Sequence, residues 1–277
     1  MSGLPEGCLA NILSFTNPKT ACVLSAVSSA FKNAAESDTV WEKFLPSDYQ
    51  MILSGSNSPV LSLLPKKQLF LSLCNNPILI DNGRKSFSLA KWSGKKCFML
   101  SARDLQIVWG DYSPHWKWTS DPNSRFEEVA GLVNVSRLEI NGKIDTNRLS
   151  TSTMYTAFLV FKLHERAYGL NSPVAAMLGI DGEELSCRNV YLDGRTGFRR
   201  QLRRTMYGDT ESLVFVARRD ICRRRLPNER EDGWLEVELG QFFNAEGTNG
   251  ELGIHVKSVE SQWKGGLLVE GIEIRPS

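Results

Sequence analysis

The chain has 277 residues, 42% of them hydrophobic and 23% charged, with 33 Lys and Arg against 31 Asp and Glu for a formal net charge of +2. That length fits one large domain or a small domain beside a medium one. So close a charge balance makes nucleic acid an unexpected partner, because nucleic-acid surfaces are read by a basic excess. The six cysteines, Cys8, Cys22, Cys74, Cys97, Cys187 and Cys222, form no C-x-x-C pair, so neither a disulfide framework nor a zinc template is indicated. Reduced thiols point to cytoplasm and nucleus. The segment from Met1 to Glu6 has no basic start or sustained apolar run of a signal peptide, and no apolar stretch reaches the ~20 residues of a membrane span.

The first 45 or so residues read as helices. Leu9, Ile12 and Leu13 share one face at i, i+3, i+4. Asn17 and Pro18 form an N-cap and first-turn pair that opens a second helix. Val23, Leu24 and Val27 make its stripe, and Phe31, Ala34 and Ala35 make a third. Asp38 or Thr39 caps a last short helix carrying Trp41, Phe44 and Leu45. So short a segment has more apolar surface than its own core needs. Two readings stay open: the surplus docks a partner, or it packs on the rest of the chain.

Residues 46–85 read as a connector. The polar run from Ser54 to Pro59 is loop-like, residues 66–74 suit a short helix with Leu69, Phe70 and Leu73 on one side, and Asn75-Asn76-Pro77 stops it. Asp81-Asn82-Gly83 is a turn signal. From about Phe87 the apolar period becomes two. Leu105, Ile107 and Trp109 alternate with their neighbours, Leu138 and Ile140 run into an Asn141-Gly142 hairpin signal, and residues 155–163 form a dense apolar strand. Leu235, Val237 and Leu239, then Leu252, Ile254 and Val256, then Leu268, Ile272 and Ile274 complete the pattern. Many short strands split by Gly, Asn and Asp indicate an antiparallel sandwich.

No motif of catalysis is present. The histidines, His115, His164 and His255, sit in no H-E-x-x-H, and there is no phosphate-binding glycine loop, so the expectation is a non-enzyme without cofactor or metal. The aromatic run is more informative. Trp109 is followed by Asp111, Tyr112, Trp116, Lys117 and Trp118. In an extended segment Trp116 and Trp118 share a side. An aromatic face suits the apolar C–H face of a sugar ring, with Asp111, Tyr112 and Lys117 as candidate partners for its hydroxyls. Trp109 also shares parity with Leu105 and Ile107, which leaves a core role open for it. The basic islands at 199–204 and 218–225 suit an import signal, a phosphate contact or an acidic client, or else solvated loops neutralised by nearby acids.

Two resemblances sharpen this. Leu4-Pro5-Glu6, Ile12-Leu13, the block from Val27 to Phe31 and Val40-Trp41 follow an F-box in order and spacing over about residues 2–45. That resemblance implies docking to the Skp-type adaptor of an SCF ubiquitin ligase, and so to its cullin, through Leu4, Pro5, Ile12, Leu13, Val27, Trp41 and Phe44. Ala102-Arg103-Asp104-Leu105, Ile107-Val108-Trp109, Trp116-Lys117-Trp118, the block from Glu139 to Ile144, Tyr155-Thr156-Ala157, the block from Asp232 to Glu236 and the run from Gly271 to Pro276 resemble the phloem protein two lectins of plants over about residues 86–276. That resemblance implies a jelly-roll-like sandwich binding N-acetylglucosamine oligomers and glycoproteins. Its sugar-site tryptophans match Trp109 and Trp116, with Trp118 beside them, and Arg223-Arg224-Arg225 stand where the lectin has lysines. The expected architecture is α+β: an F-box at 1–46, a linker at 47–85 and a lectin-like β-sandwich at 86–277. The runner-up function keeps the docking and replaces sugar with direct capture of a protein client.

Overall fold

A computed structural model describes residues 4–194, 226–258 and 260–277. The arginine islands at 199–204 and 218–225, Arg223-Arg224-Arg225 included, lie outside the described residues, as does Cys222.

Four helices open the chain: α1 (Glu6–Ser14), α2 (Pro18–Leu24), α3 (Ser29–Glu36) and α4 (Asp38–Phe44). The Asn17 side chain accepts the Thr20 N–H at 2.9 Å, satisfying one of the orphan donors at the start of α2. Ser28 does the same for α3 through the Phe31 N–H. Asp38 caps no helix of its own. Its carboxylate accepts the Lys66 N–H at 2.9 Å and so ties α4 to a later helix.

The expected linker is packed structure. It holds α5 (Tyr49–Ser54), a 3-10 turn at Pro59–Leu63 and α6 (Lys66–Asn75). Tyr49, Leu53, Leu69, Phe70 and Leu73 are buried in the same core as the four opening helices. Burying a Leu or Phe contributes about 1.5–3 kcal/mol, so these five are a substantial anchor. The polar run at 54–59 is pinned as well, since the Asn57 N–H donates to the Leu79 carbonyl at 3.0 Å.

Sheet structure begins at residue 78, earlier than the expected 86. The strands are β1 (Ile78–Ile80), β2 (Lys85–Leu89), β3 (Lys96–Ser101), β4 (Gln106–Ile107), β5 (Trp116–Thr119), β6 (Val129–Leu132) and β7 (Glu139–Asp145). They continue with β8 (Thr153–Tyr168), β9 (Val174–Ile180), β10 (Glu183–Val190), β11 (Asn228–Glu229), β12 (Leu235–Asn244), β13 (Glu251–Ser258) and β14 (Gly265–Pro276). One sheet runs β1-β2-β3-β14-β8-β12-β11, with β6 also on β14 and β5 on β6; the other runs β10-β9-β13-β7-β4. The described pairings are antiparallel. Leu159, Phe161, Val237, Ile272 and Ile274 of the large sheet meet Ile140, Ala176, Leu178, Ile254 and Val256 of the small one in a shared core.

Asn141-Gly142 makes no hairpin. β7 runs straight through it, paired with β13 from Glu139 to Asp145. Gly142 is needed for closeness: a Cβ there would stand 3.0 Å from Leu105 Cδ2 and 3.2 Å from methyls of Leu100 and Ile272. The sequence signal was a packing glycine in a strand, not a turn glycine.

The two parts meet at α6 and the β2–β3 hairpin. Phe70 of α6 packs on Trp41 with ring centroids 5.2 Å apart. Gly94 in the hairpin turn lies so close to the Phe44 carbonyl that a Cβ would sit 2.7 Å from it. Lys96 Nζ pairs with Asp48 at 2.9 Å across the junction.

The outer face of the large sheet carries a second, smaller core of Met99, Phe126, Val129, Val160 and Trp234. Beside it an ion cluster joins β12, β14 and two loops. Glu273 bonds Arg125 at 2.9 Å, Arg230 at 2.7 Å and Arg275 at 2.9 Å, while Glu236 bonds Arg230 at 3.0 Å and Arg275 at 2.6 Å. Burial alone would raise the Glu273 carboxyl, but the guanidiniums of Arg125 and Arg230 win and hold it down to about 2.

Candidate functional site

The residues expected to dock an adaptor divide into two sets. Leu13, Trp41 and Phe44 are interior. Leu13 and Leu9 of α1 face the buried Ala34 and Ala35 of α3 and Val40 and Trp41 of α4. The Trp41 Nε1–H donates to the Ala35 carbonyl at 2.7 Å, and its ring meets Phe44 edge-on at 5.5 Å. These three side chains are therefore scaffold in this structure rather than free contact surface. The reason lies in α6, whose Phe70 covers Trp41; a reading that took 47–85 as linker left nothing to cover it.

Leu4, Pro5, Ile12 and Val27 are exposed, and Phe15 and Val23 join them. Ile12 is 50% and Phe15 84% accessible. Helix α1 is thus apolar on two sides: Leu9 and Leu13 turn in, Ile12 and Phe15 turn out. The i, i+3, i+4 pattern sees both stripes but does not say which is covered. Phe15 carried no assignment from sequence because it lies just beyond the Leu9, Ile12 and Leu13 stripe, at the end of α1. The outward surface is a run of large apolar side chains on α1 and α2 and in the turn before α3, of the kind that marks a partner site.

The second candidate is the loop between β4 and β5. The alternation from Leu105 breaks there: Leu105 is buried, Ile107 half-buried and Trp109 is 47% exposed. Trp109 has φ +58°, a left-handed conformation uncommon for a bulky side chain. The Gly110 N–H donates to the Ile107 carbonyl at 2.9 Å and the Tyr112 N–H to the Trp109 carbonyl at 2.9 Å. This tight turn lifts the indole off the sheet. His115 stands between two aromatics, 5.2 Å from Trp109 and 5.1 Å from Tyr112 by ring centroids. Its Nδ1 lies 2.8 Å from the Asn134 carbonyl, so that nitrogen carries a hydrogen and donates it. Trp109 and Tyr112 project to solvent, with His115 half-buried between them.

Trp116 is not part of that surface. It is 2% exposed, belongs to the core, and its Nε1–H finds no partner among the described residues. Trp118 is half-buried. Its Nε1–H donates to the Gly110 carbonyl at 3.1 Å, and the Arg103 guanidinium lies 3.6 Å over its ring. Arg103 is held in turn by Glu128 at 2.7 Å and reaches Asp111 at 3.5 Å. So the tryptophans have three roles: Trp109 displayed, Trp118 bracing the loop, Trp116 filling the core. Lys117 points to the opposite side of β5, into a groove with Leu268 and Lys162, and does not join Trp109. His115 and Arg103 complete the arrangement, and neither carried a site assignment from sequence.

Among the described residues, no three His, Cys, Asp or Glu side chains converge to hold a metal ion. No described helix is long and apolar enough to cross a membrane.

Comparison with known proteins agrees with both halves. A model described as F-box domain matches residues 1–43, and one described as Phloem protein 2 matches residues 95–276. F-box protein At2g02240 of Arabidopsis thaliana is 44% identical over 276 residues, covering 99% of this chain and 79% of that protein. F-box protein VBF of the same plant is 42% identical over 281 residues, covering 100% of this chain and 99% of its own length. Putative F-box protein PP2-B12 is 44% identical over 274 residues, covering 99% and 96%. A helical F-box region packed on an antiparallel sheet domain, matched along its whole length, places the chain in the family of F-box proteins that carry a phloem protein 2 domain.

Proposed function

We propose that this chain is the substrate-receptor subunit of an SCF-type ubiquitin ligase, working in cytoplasm and nucleus and performing no chemistry itself. The observation that carries the docking half is the exposed apolar surface of Leu4, Ile12, Phe15, Val23 and Val27 on a helical unit whose own core is already filled by Leu9, Leu13 and Trp41. A Skp-type adaptor covers that surface, and the cullin follows through the adaptor. A client held on the sandwich is then kept at high effective concentration beside the ubiquitin-loading machinery.

The capture half rests on Trp109 and Tyr112. Two exposed aromatic rings around His115, with Asp111 at hand, suit a pyranose ring stacked by its apolar face and bonded through its hydroxyls. The ligand class is an N-acetylglucosamine-containing glycan or glycoprotein. Calorimetric titration of the full chain with N-acetylglucosamine oligomers tests it. Saturable heat that is lost in Trp109→Ala, with the fold intact by circular dichroism, supports the reading; absence of heat at millimolar sugar removes it. The burial of Trp116 favours a second reading, in which the same loop grips a protein client directly. Client capture that survives competing chitooligosaccharide and fails in Trp109→Ala selects that alternative.

A further inference from the structure

A cleft of about 370 Å³ opens on the other side of Arg103 from the aromatic loop. Its size falls in the range of small-ligand sites. One wall is the β1–β2 turn, where Asp81, Asn82 and Gly83 all have positive φ, at +52°, +56° and +78°. The turn is fixed from below, because the Asp81 carboxylate is bonded by both Arg148 and Lys85. The opposite wall is the segment carrying Glu127 and Glu128.

The polar groups here are unusually unspent. Ser101, 1% exposed, lines the cleft, and its Oγ has no hydrogen-bond partner among the described residues. Buried hydroxyls are nearly always bonded, so this one is an unused polar group beside the cleft. Arg84 gives one N–H to the Arg103 carbonyl at 2.9 Å and forms no ion pair among the described residues. Glu127 is exposed and likewise meets no cation there.

The charge count selects the ligand. Arg84 and Arg103 offset Glu127 and Glu128, so the walls are neutral in sum. An anion would gain from the arginines and lose to the glutamates at similar range. A neutral polyol uses both, its hydroxyls donating to carboxylate and accepting from guanidinium. Arg103 also links the cleft to the aromatic loop: it touches Glu128 of the cleft at 2.7 Å and Asp111 of the loop at 3.5 Å.

We propose that the cleft bounded by Asn82, Arg84, Ser101 and Glu127 is a second sugar subsite, taking a further pyranose residue of the same neutral glycan chain whose first residue stacks on Trp109. The inference rests on the glycan reading above. Residues of the β1–β2 turn, which precede the stretch matched to phloem protein 2, thereby take part in reading the glycan.

The test is calorimetric titration of the full chain with N-acetylglucosamine and its dimer, trimer and tetramer, for wild type, Arg84→Ala, Glu127→Gln and Trp109→Ala. The expected result is an affinity that rises with chain length in the wild type, trimer and tetramer affinities about tenfold weaker in Arg84→Ala and Glu127→Gln with monosaccharide binding unchanged, and weaker binding at every length in Trp109→Ala. Both cleft residues are exposed, so their variants keep the fold. Trimer and tetramer affinities within twofold of wild type in both cleft variants would overturn the subsite while leaving the aromatic site standing. No saturable heat at any length in the wild type would overturn the glycan reading and the subsite with it.

Discussion

Replacing Trp41 with alanine separates a scaffold role from a contact role. Trp41 is 1% exposed, its ring meets Phe44 and Phe70 at 5.5 and 5.2 Å, and its indole N–H bonds the Ala35 carbonyl at 2.7 Å. Truncating a buried aromatic to alanine costs roughly 3–5 kcal/mol. The orphaned Ala35 carbonyl adds about 1 kcal/mol, for a total near 4–6 kcal/mol. That is a large share of the roughly 5–15 kcal/mol that holds a typical domain together. Urea unfolding of the full chain, followed by far-UV circular dichroism, reads the loss directly. Any failure of Trp41→Ala to hold the adaptor is then a consequence of unfolded helices. A loss below about 1 kcal/mol would mean that Trp41 is not a core residue and return it to the surface. Ile12→Asp is the counterpart: half-exposed, it should change stability by no more than about 0.5 kcal/mol.

Three carboxylates make opposite predictions with pH. Glu273 is depressed to about 2 against the opposing pull of burial, and Asp81 is held at about 2 chiefly by its hydrogen bond from Arg148. Both folded values lie below the ordinary range, so their contribution is complete above about pH 4.5 and is lost as pH falls toward 2. Glu273→Gln should cost roughly 3–5 kcal/mol at pH 7, since three arginines lose their shared partner, and should flatten the loss of stability between pH 5 and 3 in urea titrations. Burial raises the Glu270 carboxyl, and its Oε2 has no partner among the described residues while Oε1 accepts the Arg125 backbone N–H at 2.8 Å. A raised folded value costs stability as pH climbs past the ordinary range, so Glu270→Gln should stabilise by on the order of 1 kcal/mol at pH 7 and by little at pH 4. Burial pushes the Cys74 and Cys97 thiols up to about 12, whereas Cys8, Cys22 and Cys187 are exposed. Native maleimide labelling at pH 8, mapped by mass spectrometry, should modify the exposed three well ahead of the half-buried Cys74 and Cys97.

The helices, their caps and the period-two strands were legible because each is a local signal. Asn17-Pro18 and Ser28 cap by contacts within three residues, and β12 and β13 show alternation on their own. What escaped was set by distant packing. Trp41 is interior because α6, some thirty residues on, lies over it. Gly142 is a strand residue because Leu100, Leu105 and Ile272 press on it, a fact no dipeptide carries. At the candidate site the aromatic run itself was readable, but not its division of labour. Trp109 leaves the sheet through a left-handed turn, Trp116 enters the core and Trp118 stacks on Arg103. Parity arguments assume one extended segment, and the turn at Gly110 breaks that assumption between the first tryptophan and the other two.

On the proposed function, the outward apolar face of the helices, not their buried tryptophan, holds the adaptor. The most direct test is binding of purified full-length chain to a purified Skp-type adaptor, for wild type, Ile12→Asp and Val27→Asp, with unfolding curves measured in parallel. A stable complex is expected for the wild type, with at least about hundredfold weaker binding for both variants at unchanged stability. Wild-type affinity in both folded variants would show that this face does not hold the adaptor.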